Sequence, residues 1–399
     1  MKSNSVKRGR NFLHTPGPTN IPDRILNAMH RPAIDFSGPD FLELAIEIFR
    51  DIKPIFRTEG RVFIYTSSGH GAWEAALANV LSPGDKVLVP ETGQFSASWT
   101  DMARTLSIEA DYLTNDWRHG IDPDEVEQKL RDDKEHAIKA VLTVQTDTGT
   151  SITSDIPAVR RAIDAANHPA LLMVDTIASL GTIDFRMDDW GVDVAVGASQ
   201  KGLMLPPGLG FTATSEKALR VAEACTMPRN YWDWRNRQDD AHYRWFCGTA
   251  PEHLIFGLRE AINMVMEEGF DQIFARHARL AGAVRKAVGV WAEAGAVDFN
   301  AAVEEQRSNS VTTIRVADGY DGDAVRAACR DNFQIALGGG LGQLQGRAFR
   351  IGHMGDLNEP MILGCLAGVE AALQVCGIPH GRGGTQSAID HLAATAASA

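Results

Sequence analysis

The 399-residue sequence is short of most of the features that would send a protein to a membrane or to nucleic acid. No apolar run approaches the ~18 residues that a membrane-spanning helix needs. Basic charge is in deficit: 39 Lys and Arg stand against 51 Asp and Glu, a formal net charge of -12. Phosphate backbones call for the opposite surplus, so nucleic acid is excluded as a partner, whereas a local cluster of donors still leaves room for a small anion. Cysteine is scarce and scattered. Cys225, Cys247, Cys329, Cys365 and Cys376 are odd in number and show neither CxxC nor Cys/His ligand spacing. That excludes a disulfide framework and a zinc site, and it suits free thiols in a reducing cytoplasm. There is no repeat of fixed period and no low-complexity linker. The opening "MKSNSVKRGR" lacks the apolar stretch of a signal peptide and reads as a mobile tail, and the closing "HLAATAASA" is small and helix-tolerant without an SKL ending.

What is present is an alternation of β and α patterns from about residue 60 to about residue 215. "RVFIYT" stops at "SSGHG" and is followed by the helix-spaced "AWEAALANVL"; "KVLVP" is followed by "SASWTDMARTL", and "IEADYL" by "DPDEVEQKLRDD", with an aspartate at the helix start. "IKAVLTV", "SDIPAVRRAIDAA", "ALLMVDT", "VDVAVG" and "GLGFTAT" continue the series. Such alternation predicts an α/β domain with a mostly parallel sheet covered on both faces. In open sheets of this kind ligands bind beyond the carboxyl ends of the strands.

Four strand ends carry chemistry. After the first strand, Ser68, Gly69 and His70 stand at a helix N-terminus, where free N–H groups and the helix dipole favour a phosphate, although the GK[ST] of a Walker loop and the GxGxxG of a dinucleotide site are both absent there. A simple turn is the plainer reading. Asp175 closes the apolar strand "ALLMVDT"; a buried carboxylate needs a cation or strong donors, and a helix cap or loop salt bridge is its plainer reading. Lys201 follows the apolar run "VDVAVGASQ", where it either lies in a cleft or snorkels to the surface. Phe95, after the second strand, offers a stacking face or simply core packing. Taken together, a phosphate cradle, a strand-end aspartate and a strand-end lysine match pyridoxal 5'-phosphate: the lysine bonds to the aldehyde, the aspartate pairs with the ring nitrogen, and the phosphate anchors the ring.

The pieces "TPGPTNIPDRIL", "SSGHGAWEAAL", "SPGDKVLV", "VDTIASLGTIDFRMDDWGVDVAVGASQKGLMLPPGLGF" and "FRIGHMGD" resemble the class V aminotransferases, fold type I pyridoxal phosphate enzymes, and within them the serine–glyoxylate and alanine–glyoxylate group. The resemblance implies an α/β fold with a mostly parallel central sheet and a smaller α/β C-terminal domain. It makes Lys201 the lysine that forms a Schiff base with the cofactor, Asp175 the partner of the ring nitrogen and Phe95 the stacking residue, where relatives often have tryptophan. Ser68, Gly69, His70 and Gln200 fall at phosphate-holding positions, Thr148 where a hydroxyl meets the ring oxygen, and Arg350 where an arginine grips the substrate carboxylate. Thr249 matches a phosphate ligand reaching in from a neighbouring subunit, which implies a homodimer or homotetramer; Phe246, three places earlier, stands where a tyrosine is common.

The implied reaction is transfer of an amino group from a small L-amino acid, best L-serine, to glyoxylate, giving hydroxypyruvate and glycine in a ping-pong sequence. Aspartate or alanine are alternative donors. Aspartate would draw on a second cationic clamp among Arg235, Arg237 and Arg244 in "NYWDWRNRQDDAHYRWF". A lyase of the cysteine desulfurase kind needs a mobile reactive cysteine, and Cys329 and Cys365 sit in helix-like contexts. The expected division is an N-terminal segment 1–30 near the small domain, a large cofactor domain 31–270 and a small domain 271–399, bridged by the helix-like "ARHARLAGAVRKAVGVWAEAG". "ALGGGLGQLQG" leads into a strand and reads as a flexible loop beside the substrate.

Overall fold

The computed structural model describes residues 7–238 and 241–396. Its strands are, in chain order, β1 (Phe12–His14), β2 (Arg61–Ser67), β3 (Lys86–Pro90), β4 (Glu109–Leu113), β5 (Ile138–Val144), the ribbon β6 (Thr146–Asp147) and β7 (Ile152–Thr153), β8 (Leu171–Asp175), β9 (Val194–Ala198), β10 (Gly208–Thr214), β11 (Val297–Phe299), β12 (Val311–Val316), β13 (Ile335–Gly339) and β14 (Ala348–Gly352). Seven of them form one sheet in the order β2-β10-β9-β8-β5-β3-β4. Only β10 runs antiparallel to its neighbours, so six strands point their carboxyl ends the same way.

Period-two alternation divides each strand between two apolar layers. Ile64, Leu172 and Val174 enter one core, with Phe41 and Ile48 of the helix Pro39–Asp51; Phe63, Tyr65, Leu171 and Met173 enter the other, with Trp73 and Trp99. β8 is buried along its whole length, including Asp175. Each large apolar side chain so buried stabilises the fold by roughly 1.5–3 kcal/mol, which offsets the cost of carrying a carboxylate into the interior.

The second sheet, β1-β13-β14-β12-β11, belongs to the C-terminal part, with its own core of residues such as Trp291, Ile314, Phe349 and Leu366. The helix Phe270–Ala292 runs from Gly269, at φ +79°, into that core. β1 pairs parallel to β13, so the N-terminal segment joins the small sheet directly.

Two expectations need correction. The glycine-rich stretch is not a loop throughout: Ala336 to Gly339 finish β13, Ala336 and Leu337 pairing with β1 and Gly338 and Gly339 with β14, and only the residues after Gly339 turn back. Glycine is needed there because a side chain would collide with neighbours; a Cβ on Gly338 would meet Pro16 and Arg350. Nor is the whole of "MKSNSVKRGR" a free tail. Residues 1–6 lie outside the described residues, but Lys7 Nζ donates to the Arg330 carbonyl and Gln334 Nε2 to the Arg8 carbonyl.

Candidate active site

β9 ends at Ala198, and the chain then folds back on itself before β10. Ser199 Oγ donates to the Pro206 carbonyl and accepts from Leu209 N, Leu205 N donates to the Ser199 carbonyl, and Met204 N to the Lys201 carbonyl. This knot holds Lys201 at the carboxyl edge of the sheet, and Gly202 fits it because a Cβ would overlap the Leu180 carbonyl. The N-terminal segment covers the amine: Lys201 Nζ donates to the Pro16 carbonyl, while Thr19 N and Thr19 Oγ1 donate to the carbonyls of Gln200 and Lys201. Gly17, at φ +93°, leaves room for the lysine where any side chain would overlap it. Desolvation, with Arg350 nearby, lowers the Lys201 pKa to about 8 against the pull of Asp175.

Asp175 ends β8, opposite Val144 and Val196. Ile177 N donates to its Oδ1 at 2.6 Å and Trp73 Nε1 to its Oδ2 at 3.2 Å. At 4 % exposure, burial dominates and raises its pKa to about 7; the neighbouring Asp147 adds to the rise and Lys201 opposes it.

The helix Gly69–Val80 supplies the anion cradle. It starts at Gly69, so Gly69 and His70 form the first turn itself. The helices Pro123–Asp132, Ile156–Ala165 and Glu216–Ala224 are each capped by the side chain of the preceding Asp122, Asp155 or Ser215, but Ser68 caps nothing. Side-chain caps are missing from other helices too, such as Glu252–Glu268, but here the uncapped first-turn N–H groups stand at the carboxyl edge of the sheet, where they can serve an anion. Ser68, Gly69, His70, Phe95, Thr148, Asp175, Gln200 and Lys201 line one cavity, together with Trp73, Thr146, Ile177 and Ala178.

Arg350, on β14 and 8 % exposed, donates from Nε to the Gly339 carbonyl at 2.6 Å and from Nη1 to the Thr148 carbonyl at 2.8 Å. Burial lowers its pKa to about 10, with Asp147 opposing, so it stays a cation at neutral pH. Asp147 accepts from Phe95 N and Gly149 N, each at 2.8 Å, and so joins the Phe95 seat to the Thr148 turn. Sequence reasoning passed over Asp147 and Trp73: an aspartate in a polar turn and a tryptophan in an apolar helix carry no signal of their own. The glycine and prolines of "TPGPT" were the available hint to the segment over Lys201.

Thr249 is not brought to this cavity; it is exposed after the short helix His242–Trp245. Phe246 is buried against Phe41 and Phe49. Arg235 is paired with Asp233 at 2.7 Å, and Arg237 is spent on the carbonyls of Tyr231, Ile64 and Trp245. Neither they nor Arg244 lines the cavity.

The profile of the family Aminotransferase class-V matches residues 12–345. The chain belongs to the class-V aminotransferases. A serine–glyoxylate aminotransferase of Methylorubrum extorquens is 44% identical over 371 residues, 92% of this chain and 91% of the relative. An L-aspartate–glyoxylate aminotransferase of Paracoccus denitrificans is 40% identical over 392 residues, 98% of each chain. Among solved structures, a ureidoglycine–glyoxylate aminotransferase of Bacillus subtilis superposes with a TM-score of 0.88 at 26% identity, covering 98% of this chain and 100% of that one. As a class-V aminotransferase the protein is a pyridoxal 5'-phosphate-dependent transaminase, and its residues fit that cofactor. The cradle has uncapped N–H groups that suit a phosphate, and the buried Asp175 carboxylate, with Lys201 near it, suits a protonated ring nitrogen.

Proposed function

We propose that this class-V aminotransferase moves the amino group of a small L-amino acid, best L-serine, to glyoxylate, giving hydroxypyruvate and glycine. The observation that carries the reading is that Arg350 stands beside the cavity while no arginine of the described tryptophan-rich stretch lines it. Arg350 does not itself line the cavity, but its Nη1 bonds to the carbonyl of Thr148, which does, and it stands near enough to lower the pKa of Lys201; its planar guanidinium at that edge suits an α-carboxylate. Serine needs no second clamp, and the arginines that would have supplied one for aspartate are committed elsewhere. The serine–glyoxylate name of the 44%-identical relative supports the same donor. Aspartate remains the second reading, on the strength of the 40%-identical relative named for it.

Bound pyridoxal phosphate supplies an aldehyde that exchanges with the donor amine and a ring that draws electrons from the substrate α-carbon. Ser68, Gly69, His70 and Gln200 would hold its phosphate, Phe95 would stack on its ring, Thr148 would meet the ring oxygen and Asp175 would take the ring nitrogen. As a free amine, Lys201 Nζ would take the proton from the substrate α-carbon and return it, a role favoured by the burial and the nearby Arg350 that lower its pKa to about 8. The Pro16 carbonyl orients that amine. Donor and acceptor bind in turn at Arg350. The desulfurase alternative finds no support in the cysteines: Cys329 and Cys365 are buried in the small core, where burial raises their thiols, to about 12 for Cys329.

The reading extends to a cytoplasmic homodimer or homotetramer in which Thr249 completes the neighbour's phosphate site, and to a division into 1–30, 31–270 and 271–399. Free cysteines and the exposure of Thr249 support the first part, the two separate cores the second. A panel of serine, alanine, aspartate and glycine, followed by conversion of the cofactor without acceptor, tests the donor. Serine is expected to give the highest kcat/KM. A tenfold lead for aspartate, about 1.4 kcal/mol in transition-state binding, would overturn it.

A further inference from the structure

Asp175 is surrounded by more than the cofactor requires. Its Oδ1 is fixed by Ile177 N, two residues along its own chain, while its Oδ2 is reached from a different element, by the indole Nε1 of Trp73 at 3.2 Å. Trp73 lies one turn after Gly69 on the helix Gly69–Val80, so the same helix face that offers N–H groups to the phosphate end of the cavity sends an N–H to the opposite end. Its ring is fully buried, stacked on Trp99 with centroids 5.6 Å apart and 15° between planes, with the His70 ring at 4.5 Å and the edge of Phe95 at 6.2 Å. An indole so enclosed has no freedom to turn its N–H elsewhere. Trp99 is the useful contrast: it belongs to the same stack, yet its Nε1 has no hydrogen-bond partner among the described residues.

We infer that Trp73 is a positioning residue that holds Asp175 as a correctly aimed anion against the ring nitrogen of the cofactor. This rests on the transaminase reading above. The physical need is specific. Asp147 stands near enough to disfavour a second negative charge, and burial disfavours any charge, while Lys201 and the donors Ile177 N and Trp73 Nε1 favour it. With the cofactor bound, the ring nitrogen would supply the facing charge, and the two N–H donors fix where the carboxylate points. A neutral Asp175 that kept its proton would offer the ring nitrogen only a hydrogen bond and leave it uncharged, and the electron-drawing power of the ring would fall. Each carboxylate oxygen has a second lone pair, so the bond from Trp73 leaves Asp175 able to accept from the ring as well.

The test measures the affinity of apoenzyme for two probes by absorbance titration: pyridoxal 5'-phosphate and its 1-deaza analogue, in which carbon replaces the ring nitrogen. Trp73→Phe removes the N–H and keeps an aromatic ring; Trp99→Phe removes an indole from the same stack without losing a bond. The expected result is a loss of about tenfold or more in affinity for the natural cofactor in Trp73→Phe, the range for a bond to a charged group, with the deaza analogue bound within twofold of the parent by both variants. Site-specific replacement of Trp73 by 3-benzothienylalanine, which has the indole shape without the N–H, gives the same measurement if Trp73→Phe does not fold. Equal weakening of both probes would reduce Trp73 to a packing residue, and no weakening of either would remove it from the site; both overturn the proposal. Failure of the parent protein to bind pyridoxal phosphate would overturn the transaminase reading instead.

Discussion

Replacing Arg350 removes two kinds of interaction whose sizes can be worked out separately. Its Nε and Nη1 bonds to the Gly339 and Thr148 carbonyls, at 2.6 and 2.8 Å, tie the small sheet to the turn beside the cofactor cavity. Arg350→Ala leaves both acceptors without a donor, at about 1–3 kcal/mol each unless water enters. The second interaction is the grip on the substrate carboxylate that the proposed function assigns to Arg350, where loss of a desolvated charged partner costs about 2–5 kcal/mol, or roughly thirty- to several-thousand-fold in kcat/KM. Arg350→Lys separates the two: it keeps a cation but satisfies at most part of the planar pattern, so it is expected between parent and alanine. Rapid-mixing absorbance of the bound cofactor measures the donor half-reaction and, with the aminated cofactor, the glyoxylate half-reaction. Because both substrates present a carboxylate to one place, both half-reactions should fall by similar factors while the resting spectrum stays. A deficit confined to one substrate would refute the shared clamp.

Lys201→Ala should abolish both half-reactions, and borohydride reduction of the parent should erase the near-visible absorbance and leave a stable mass addition on Lys201; parental turnover by the alanine variant would sink the assignment. Gly202→Ala drives a Cβ into the Leu180 carbonyl, so the loop carrying Lys201 must move, and a lower melting temperature together with weakened cofactor binding is expected. The buried His14, His277 and His353 have pKa values lowered by burial to about 4, 3 and 3, so the unfolded chain takes protons below about pH 6.5 that the fold refuses. Their stability contribution is full above pH 6.5 and is lost as pH falls toward 3, at about 2 kcal/mol per histidine by pH 5; an unchanged urea midpoint between pH 7.5 and pH 5 would contradict this. Light scattering at micromolar concentration should find a dimer or tetramer, and a fully active monomer would end the role given to Thr249.

By itself the sequence determined the layers and the ends of the strands. Period-two and period-3.6 patterns in a chain of strongly apolar strands leave little choice of fold, and Asp175 and Lys201 are visible because a charge that closes an apolar run is costly without a purpose. "SSGHG" before a helix was legible for the same reason: the uncapped first turn of a helix is a local property. What only the tertiary structure decided was which distant groups share a low-dielectric space. Trp73 as a donor to Asp175 and Asp147 as the link between Phe95 and Thr148 depend on contacts across 102 and 52 residues, and the Pro16 carbonyl over Lys201 on one across 185. The arginines of the tryptophan-rich stretch show the converse, since residue type suggested a carboxylate clamp and packing gave them to Asp233 and to backbone carbonyls. A side chain's chemistry is written in the sequence, but the direction it faces is set by the packing of elements that the sequence places far apart.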